Sequence, residues 1–258
     1  MRSRSSAVLL ALAIAALAPS LGVAQYAPKW HVGDWWIVKS GGKSRSGRWV
    51  WSYMRYNIAG VEKVDGRDCF VLETRRQSRP DGAPARTNHF FFVRNEDWLV
   101  VRDVSTRMYN DTLLPPDTLN YPLGLFGPFE GRELRLPRFP LQLGNMDTAF
   151  KLQKLDYYAA DLREISSVAD PGLVKRLLDD GDTTGGRVVR PAGMVYQVRN
   201  EAGGNLVPAG REILRSLQFW CDDQPWRLYE ELVRYTGPDS TRRVVGRSWL
   251  IASGRTGR

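Results

Sequence analysis

Apolar and polar residues alternate with a period of two along most of this chain, the signature of strands with one buried face. Residues 34–39, Asp-Trp-Trp-Ile-Val-Lys, read as a first strand that stops at Ser40-Gly41-Gly42. Residues 48–58 are dense in aromatic and β-branched side chains, which favour a pleated, half-buried surface. Gly60 predicts a bulge or bend. Asp65-Gly66, between apolar stretches at 61–64 and 67–76, is a two-residue hairpin signal. Asn95-Glu96-Asp97 separates a further pair, 87–94 and 98–106. The first half therefore predicts an antiparallel meander of about six strands. Strand patterning returns at 194–200, 211–220, 226–236 and 243–252. Turns are expected at Gly203-Gly204, at Asp222-Asp223-Gln224-Pro225 and at Gly237-Pro238-Asp239.

Two stretches interrupt the alternation. Residues 113–144 carry Pro115, Pro116, Pro122, Pro128, Pro137 and Pro140, which exclude a helix interior or a central strand. They also carry Leu123, Leu125, Phe126, Phe129, Leu134, Leu136, Phe139 and Leu141, so an extended segment packed over the sheet is expected. Residues 147–180 change period. Leu152, Leu155, Ala159, Leu162 and Ile165 follow the spacing of one helix face. Asp170-Pro171 then supplies an N-cap with proline at the first helical position. Leu173, Val174, Leu177 and Leu178 form an apolar stripe, and Gly181 suits the stop. The expectation is a mainly β (α+β) fold: one β-rich domain over 25–252 with two tandem amphipathic helices inserted. Residues 253–258 read as a polar, disordered tail.

The first 24 residues stand apart. Arg2 and Arg4 precede an unbroken apolar run from Ala7 to Ala18, Pro19 ends it, and Gly22-Val23-Ala24 offers small residues to a peptidase. That is a secretory signal layout, and the run is shorter than the roughly 20 residues of a spanning helix. Export to the periplasm or beyond, with cleavage after Ala24, is expected. No second long apolar run follows, so the chain does not read as an integral membrane protein. The net charge is +9, of which Arg2 and Arg4 contribute two, leaving +7. Basic residues are interleaved with acids, without the dense run of a nucleic-acid footprint. The balance supports at most attraction to an anionic envelope surface. Cys69 and Cys221 fall in separate predicted strands. An oxidising compartment favours pairing, but sequence cannot place their Cα atoms, and the disulfide stays open.

Candidate chemistry is sparse. Gly42-Lys43-Ser44 ends like a phosphate-binding loop but has Ile37 where the first glycine belongs, and a strand follows. Ser40-Gly41-Gly42-Lys43 fits a Ser-x-x-Lys pattern without its partner motifs. Asp180, Asp182 and Thr184, with Gly185, match the first half of a calcium loop, but Pro191 stands where the closing acid belongs. No cofactor motif is complete. The two histidines, His31 and His89, are far apart in sequence, which suits structural roles better than a metal site or a nucleophile–base pair. Glu73, Glu212, Glu230 and Glu231 lie on predicted strands, but their spacing does not impose the paired geometry of a glycosidase. The nine tryptophans are the unusual feature. Trp49, Trp51 and Tyr53 share one strand face, either filling a wide core or lining a groove.

With its signal peptide, Trp-rich first hairpins, strand pair around Asn95-Glu96-Asp97 and helices before the final strands, the chain resembles the periplasmic lipoprotein-carrier superfamily. That group contains the outer-membrane lipoprotein chaperones and related sigma-factor regulators. The resemblance implies a curved antiparallel sheet, or half-barrel, with helices on its concave face and an acyl chain or lipoprotein bound between them. In that reading Trp49, Trp51 and Tyr53 line the cavity, with Leu152, Leu155 and Leu162 on the lid. Two alternatives remain: a carbohydrate-binding or matrix-interacting β domain using exposed tryptophans, and a hydrolase built on His89 or paired carboxylates. N-terminal sequencing of the exported protein checks the leader directly, with Gln25 expected as the first residue and an uncleaved start contradicting it.

Overall fold

The computed structural model describes residues 26–256 apart from 45, 84, 126–133, 135, 152–158, 184–186, 208–209 and 237–240. The first 24 residues and the calcium-loop Thr184 therefore lie outside the described residues. The first meander consists of β1 (Asp34–Lys43), β2 (Trp49–Val64), β3 (Arg67–Gln77), β4 (His89–Arg94), β5 (Val100–Ser105) and β8 (Asp117–Leu125), with a small β6–β7 hairpin (Met108–Tyr109, Thr112–Leu113) beside it. The second consists of β9 (Gly144–Lys151), β10 (Ala159–Val168), β11 (Val195–Val207), β12 (Gly210–Cys221), β13 (Tyr229–Thr236) and β14 (Thr241–Arg255), with one helix, α1 (Pro171–Thr183), between β10 and β11. Among the described residues twelve strands form a single antiparallel sheet in the order β8-β5-β4-β3-β2-β1-β14-β13-β12-β11-β10-β9. The sheet is open, with β8 and β9 at its edges.

Local chemistry explains several joints. Asp65 and Gly66 both take left-handed backbone angles, φ 51° and 80°, as the tight β2–β3 hairpin requires. The register between β2 and β3 shifts between Ile58 and Gly60, where a bulge was expected. The two meanders meet where β1 pairs with β14, from Asp34 opposite Arg255 to Gly42 opposite Gly246. Arg255 closes that seam with an ion pair to Asp34 at 2.6 Å, and the Thr256 N–H donates to the Gly33 carbonyl at 3.0 Å. Residues 253–256, expected to fray, are thus held by central pairing.

Two other expectations are corrected. Gly203-Gly204 lies within β11 rather than at a turn. Within the stretch of helical spacing from 147 to 165, residues 147–151 belong to strand β9 and 159–165 to strand β10, so among the described residues one helix is present where two were expected. The reason is visible along β10. Glu164 and Ser166 are buried while Ile165 and Val168 are exposed, so the apolar residues do not mark the buried face. Pairing with β11, from Asp161 opposite Gly203 to Val168 opposite Tyr196, overrides the local periodicity.

The sheet carries packing on both faces. On one, Trp36, Tyr56, Trp220 and Trp226 are buried, with Trp226 stacked on Trp36 at 5.3 Å and on Tyr56 at 5.2 Å between ring centres. Trp30 and the proline-punctuated segment bearing Leu134, Leu136, Phe139 and Leu141 cover this aromatic layer. Those four residues pack over the sheet as expected, whereas residues 117–125 of the same proline-punctuated stretch join the sheet itself as its edge strand β8. On the opposite face Phe219, Tyr229 and Trp249 form a cross-strand row beneath α1. The Trp249 indole N–H donates to the Leu177 carbonyl at 2.9 Å, and Val174 and Leu178 are buried. A Cβ on Gly181 would lie 2.6 Å from Trp249 and from Val188. Gly181→Ala should therefore lower stability by about 1–3 kcal/mol, the usual cost of overpacking, despite alanine's better helix propensity. A thermal melt that rises instead would contradict this packing.

Candidate functional site

Trp49, Trp51 and Tyr53 share the α1 face of the sheet, opposite Lys43, Gly41 and Lys39 in register. All three are half-buried. The Trp49 and Trp51 rings stack at 5.2 Å and 8°. Trp51 lies across Gly41, where a Cβ would come within 2.2 Å of the ring. It also meets Trp249 at 5.6 Å and covers the Lys39 ammonium at 4.8 Å. Burial pulls the Lys39 pKa below its ordinary value. Arg247 stands 6.0 Å from the outer ring, Trp49. Trp49 and Trp51 therefore form a half-buried stacked pair, with Tyr53 next on the same face.

Leu152 and Leu155, expected on a helical lid, lie outside the described residues. Leu162 sits in β10 opposite Ala202, in a strand rather than a lid. Cys69 and Cys221 are free thiols in separate apolar clusters. Burial, with the Asp223 carboxylate 2.6 Å away, pushes the Cys221 thiol up to about 11. Of the calcium candidates, Thr184 lies outside the described residues. Asp182 accepts from the Val188 N–H at 2.7 Å and pairs with Arg190, and Asp180 lies within α1. Among the described residues no group of three potential metal ligands gathers.

His31 joins the seam, its Nδ1 2.7 Å from Arg255. His89 has a partner that its sequence neighbourhood did not announce. Its Nε2 lies 3.4 Å from the buried Asp103, which accepts from the Tyr121 hydroxyl at 2.7 Å. The imidazole rests on Phe91 at 4.1 Å. The arrangement ties β4, β5 and β8 together at one end of the sheet.

The carboxylates separate by role. Glu73 accepts from Arg75 and Asn88, and Glu231 from Arg242 and Arg247. Glu230 is buried and pairs with the equally buried Arg227 at 3.0 Å. Glu164 escaped the sequence reading because its strand had been taken for a helix. It accepts from the Arg138 N–H at 3.2 Å, and burial raises its carboxyl to about 7. Glu164 and Glu230 stand three strands apart on one face and two residues out of line, about 16 Å at ordinary strand spacing. That is beyond the roughly 5–10 Å of a glycosidase pair.

A cleft of about 440 Å³ opens between α1 and the adjoining ends of β10 and β11. Val168, Pro171, Val174, Leu178, Met194 and Val195 line it, with Lys175 and Arg190 at its margin. Val168 is 54% and Met194 50% exposed, so apolar surface is on offer there. Both cations pair with Asp179, Lys175 at 2.6 Å and Arg190 at 2.9 Å. The Lys175 hydrogen bond holds the Asp179 carboxyl below its ordinary pKa. Comparison of the chain with protein-family models, curated proteins and solved structures finds no match.

Glu164 makes stability pH-dependent. Its folded pKa lies above the unfolded value, so the folded state holds its proton more tightly. Stability is greatest below about pH 4.5, falls as pH rises towards 7, and then levels, a loss of about 3 kcal/mol at most. Glu164→Gln should raise the melting temperature more at pH 8 than at pH 4.5. An equal change at both would contradict the assignment.

Proposed function

We propose that this is a non-catalytic, exported envelope protein that holds an apolar ligand, an acyl chain or the lipid part of a lipoprotein, in the cleft beside α1. The observation carrying this reading is the cleft itself: apolar in lining, about 440 Å³ in volume, and floored in part by side chains already exposed. Ligand pockets are typically apolar and of roughly this size. Each methylene buried there contributes about 0.8 kcal/mol, so a short stretch of chain suffices for useful affinity. The lipoprotein-carrier likeness is kept as part of this proposal, with the sheet curved and α1 as the helix flanking the ligand. The site differs from the one expected at Trp49, Trp51 and Tyr53. On the sheet's other face, the space under Trp30 and Phe139 is filled by indoles, Trp36, Trp220 and Trp226 being fully buried. No helix among the described residues is long and apolar enough to cross a membrane.

Mass spectrometry under native conditions, on protein taken from its own envelope, should show a bound lipid. A fluorescent C16 fatty acid should bind the delipidated protein, and Val168→Asp should weaken it at least tenfold. Position 168 is exposed, so this variant should fold normally. Undiminished binding by the folded variant would overturn the proposal.

A second reading has one observation in its favour, the stacked and half-open Trp49–Trp51 pair with Arg247 beside it. Such a pair offers a flat ring to a sugar. Under this reading Trp49→Ala abolishes retention on an immobilised polysaccharide, whereas Val168→Asp leaves it intact. The two variants therefore separate the readings.

A further inference from the structure

The face of the sheet that carries the aromatic layer changes character one row further along the strands. Trp36 faces Tyr56, and in the next row Val38 faces Met54 and Leu250. In the row after that, Gln218, Glu230, Ser248, Ser40 and Ser52 line up on β12, β13, β14, β1 and β2. Residues directly opposite in an antiparallel sheet share a face, so these five side chains form one polar line. At ordinary strand spacing the line runs about 19 Å. Gly246 lies in the following row, and where serine and glycine replace large side chains a groove of about 410 Å³ opens.

The groove is built, not merely empty. The Arg227–Glu230 pair, 3.0 Å apart and about 4% exposed on each side, lines it. Arg227 is held against the Trp226 ring at 4.7 Å. Gln218 donates to Glu230 at 3.2 Å and accepts from the Trp220 indole at 2.9 Å, so the acid is oriented from behind. Taking two charges out of water carries a desolvation penalty that apolar residues of the same volume avoid. Such a pair on the wall of a cavity is suited to meeting a polar guest. At the rim stands Arg76, exposed, whose side chain makes no ion pair with a described residue. Val38, Met54, Tyr56 and Leu232 supply the apolar part of the wall. Arg247 also borders the groove, but Glu231 claims its guanidinium at 2.9 Å.

These parts have a common complement. Three hydroxyls and a buried carboxylate suit a ligand rich in hydroxyl groups. Glu230 already balances Arg227, so the uncommitted charge is the Arg76 guanidinium, which suits one carboxylate. The apolar wall suits a face of C–H bonds. We propose that the groove is a binding site for a sugar acid, a hexuronate or an acidic polysaccharide unit. It lies on the face opposite α1 and is independent of the apolar cleft.

Isothermal titration of the full exported protein with D-glucuronate, D-glucose and inorganic phosphate tests this. Glucuronate should bind, and glucose and phosphate should bind at least tenfold more weakly, since each satisfies only half of the groove. Arg76→Ala should weaken glucuronate at least tenfold with an unchanged thermal melt, because that exposed side chain makes no ion pair with a described residue. Ser52→Ala should weaken glucuronate and glucose alike. The proposal is overturned if glucuronate fails to bind the folded protein, if phosphate binds as well as glucuronate, or if Arg76→Ala binds as the parent does. Val168→Asp should leave glucuronate binding unchanged, so failure of this site and failure of the apolar cleft are read separately.

Discussion

Pairing of β1 with β14 is the constraint on which the rest of the architecture depends. It turns two meanders, each hydrogen-bonded within itself, into one sheet. Without it each half would present an unpaired central edge. The polar line Gln218, Glu230, Ser248, Ser40, Ser52 would also be cut between Ser248 and Ser40. Both side-chain layers rely on the same join. Trp36 and Trp226 meet across it on one face, and Lys39, Trp51 and Trp249 meet across it on the other. Asp34 and Arg255 finish its end as an ion pair with one partner largely buried.

Much of this was legible in the residues because strands with one buried face write their period openly. The hairpin at Asp65-Gly66, the bulge before Gly60 and the covering role of Leu134, Leu136, Phe139 and Leu141 all follow from local chemistry. β10 was not legible. Its buried side chains include Glu164 and Ser166, and its exposed ones include Ile165 and Val168, the reverse of what a hydrophobic pattern marks. The order of strands was also hidden, since no local signal says that residue 34 pairs with residue 255.

The candidate sites show the same division. Period two placed Trp49, Trp51 and Tyr53 on one face correctly, but it could not say how open that face would be. Gly41 decides this, by letting Trp51 lie down across β1. The Arg227–Glu230 pair was out of reach of sequence reasoning, because Arg227 precedes its strand and Glu230 sits beside Glu231 in an apparently ordinary acidic pair. Tertiary placement divides those two acids: Glu231 meets arginines on the α1 face while Glu230 turns to the groove. The His89–Asp103–Tyr121 contact likewise joins three strands and appears in no contiguous motif.

The prolines of 113–144 have a consequence beyond breaking helices. β8 is an outermost strand, and an open edge is a template on which further chains can polymerise. Pro122 lies within β8 and has no N–H to offer, and Gly124 two residues later adopts φ +78°, outside the extended range. A neighbouring molecule seeking to add itself along this border would find the ladder missing a rung and bent out of line. The feature that looks like damage to the strand pattern thus works as a selvedge, setting where the fabric ends.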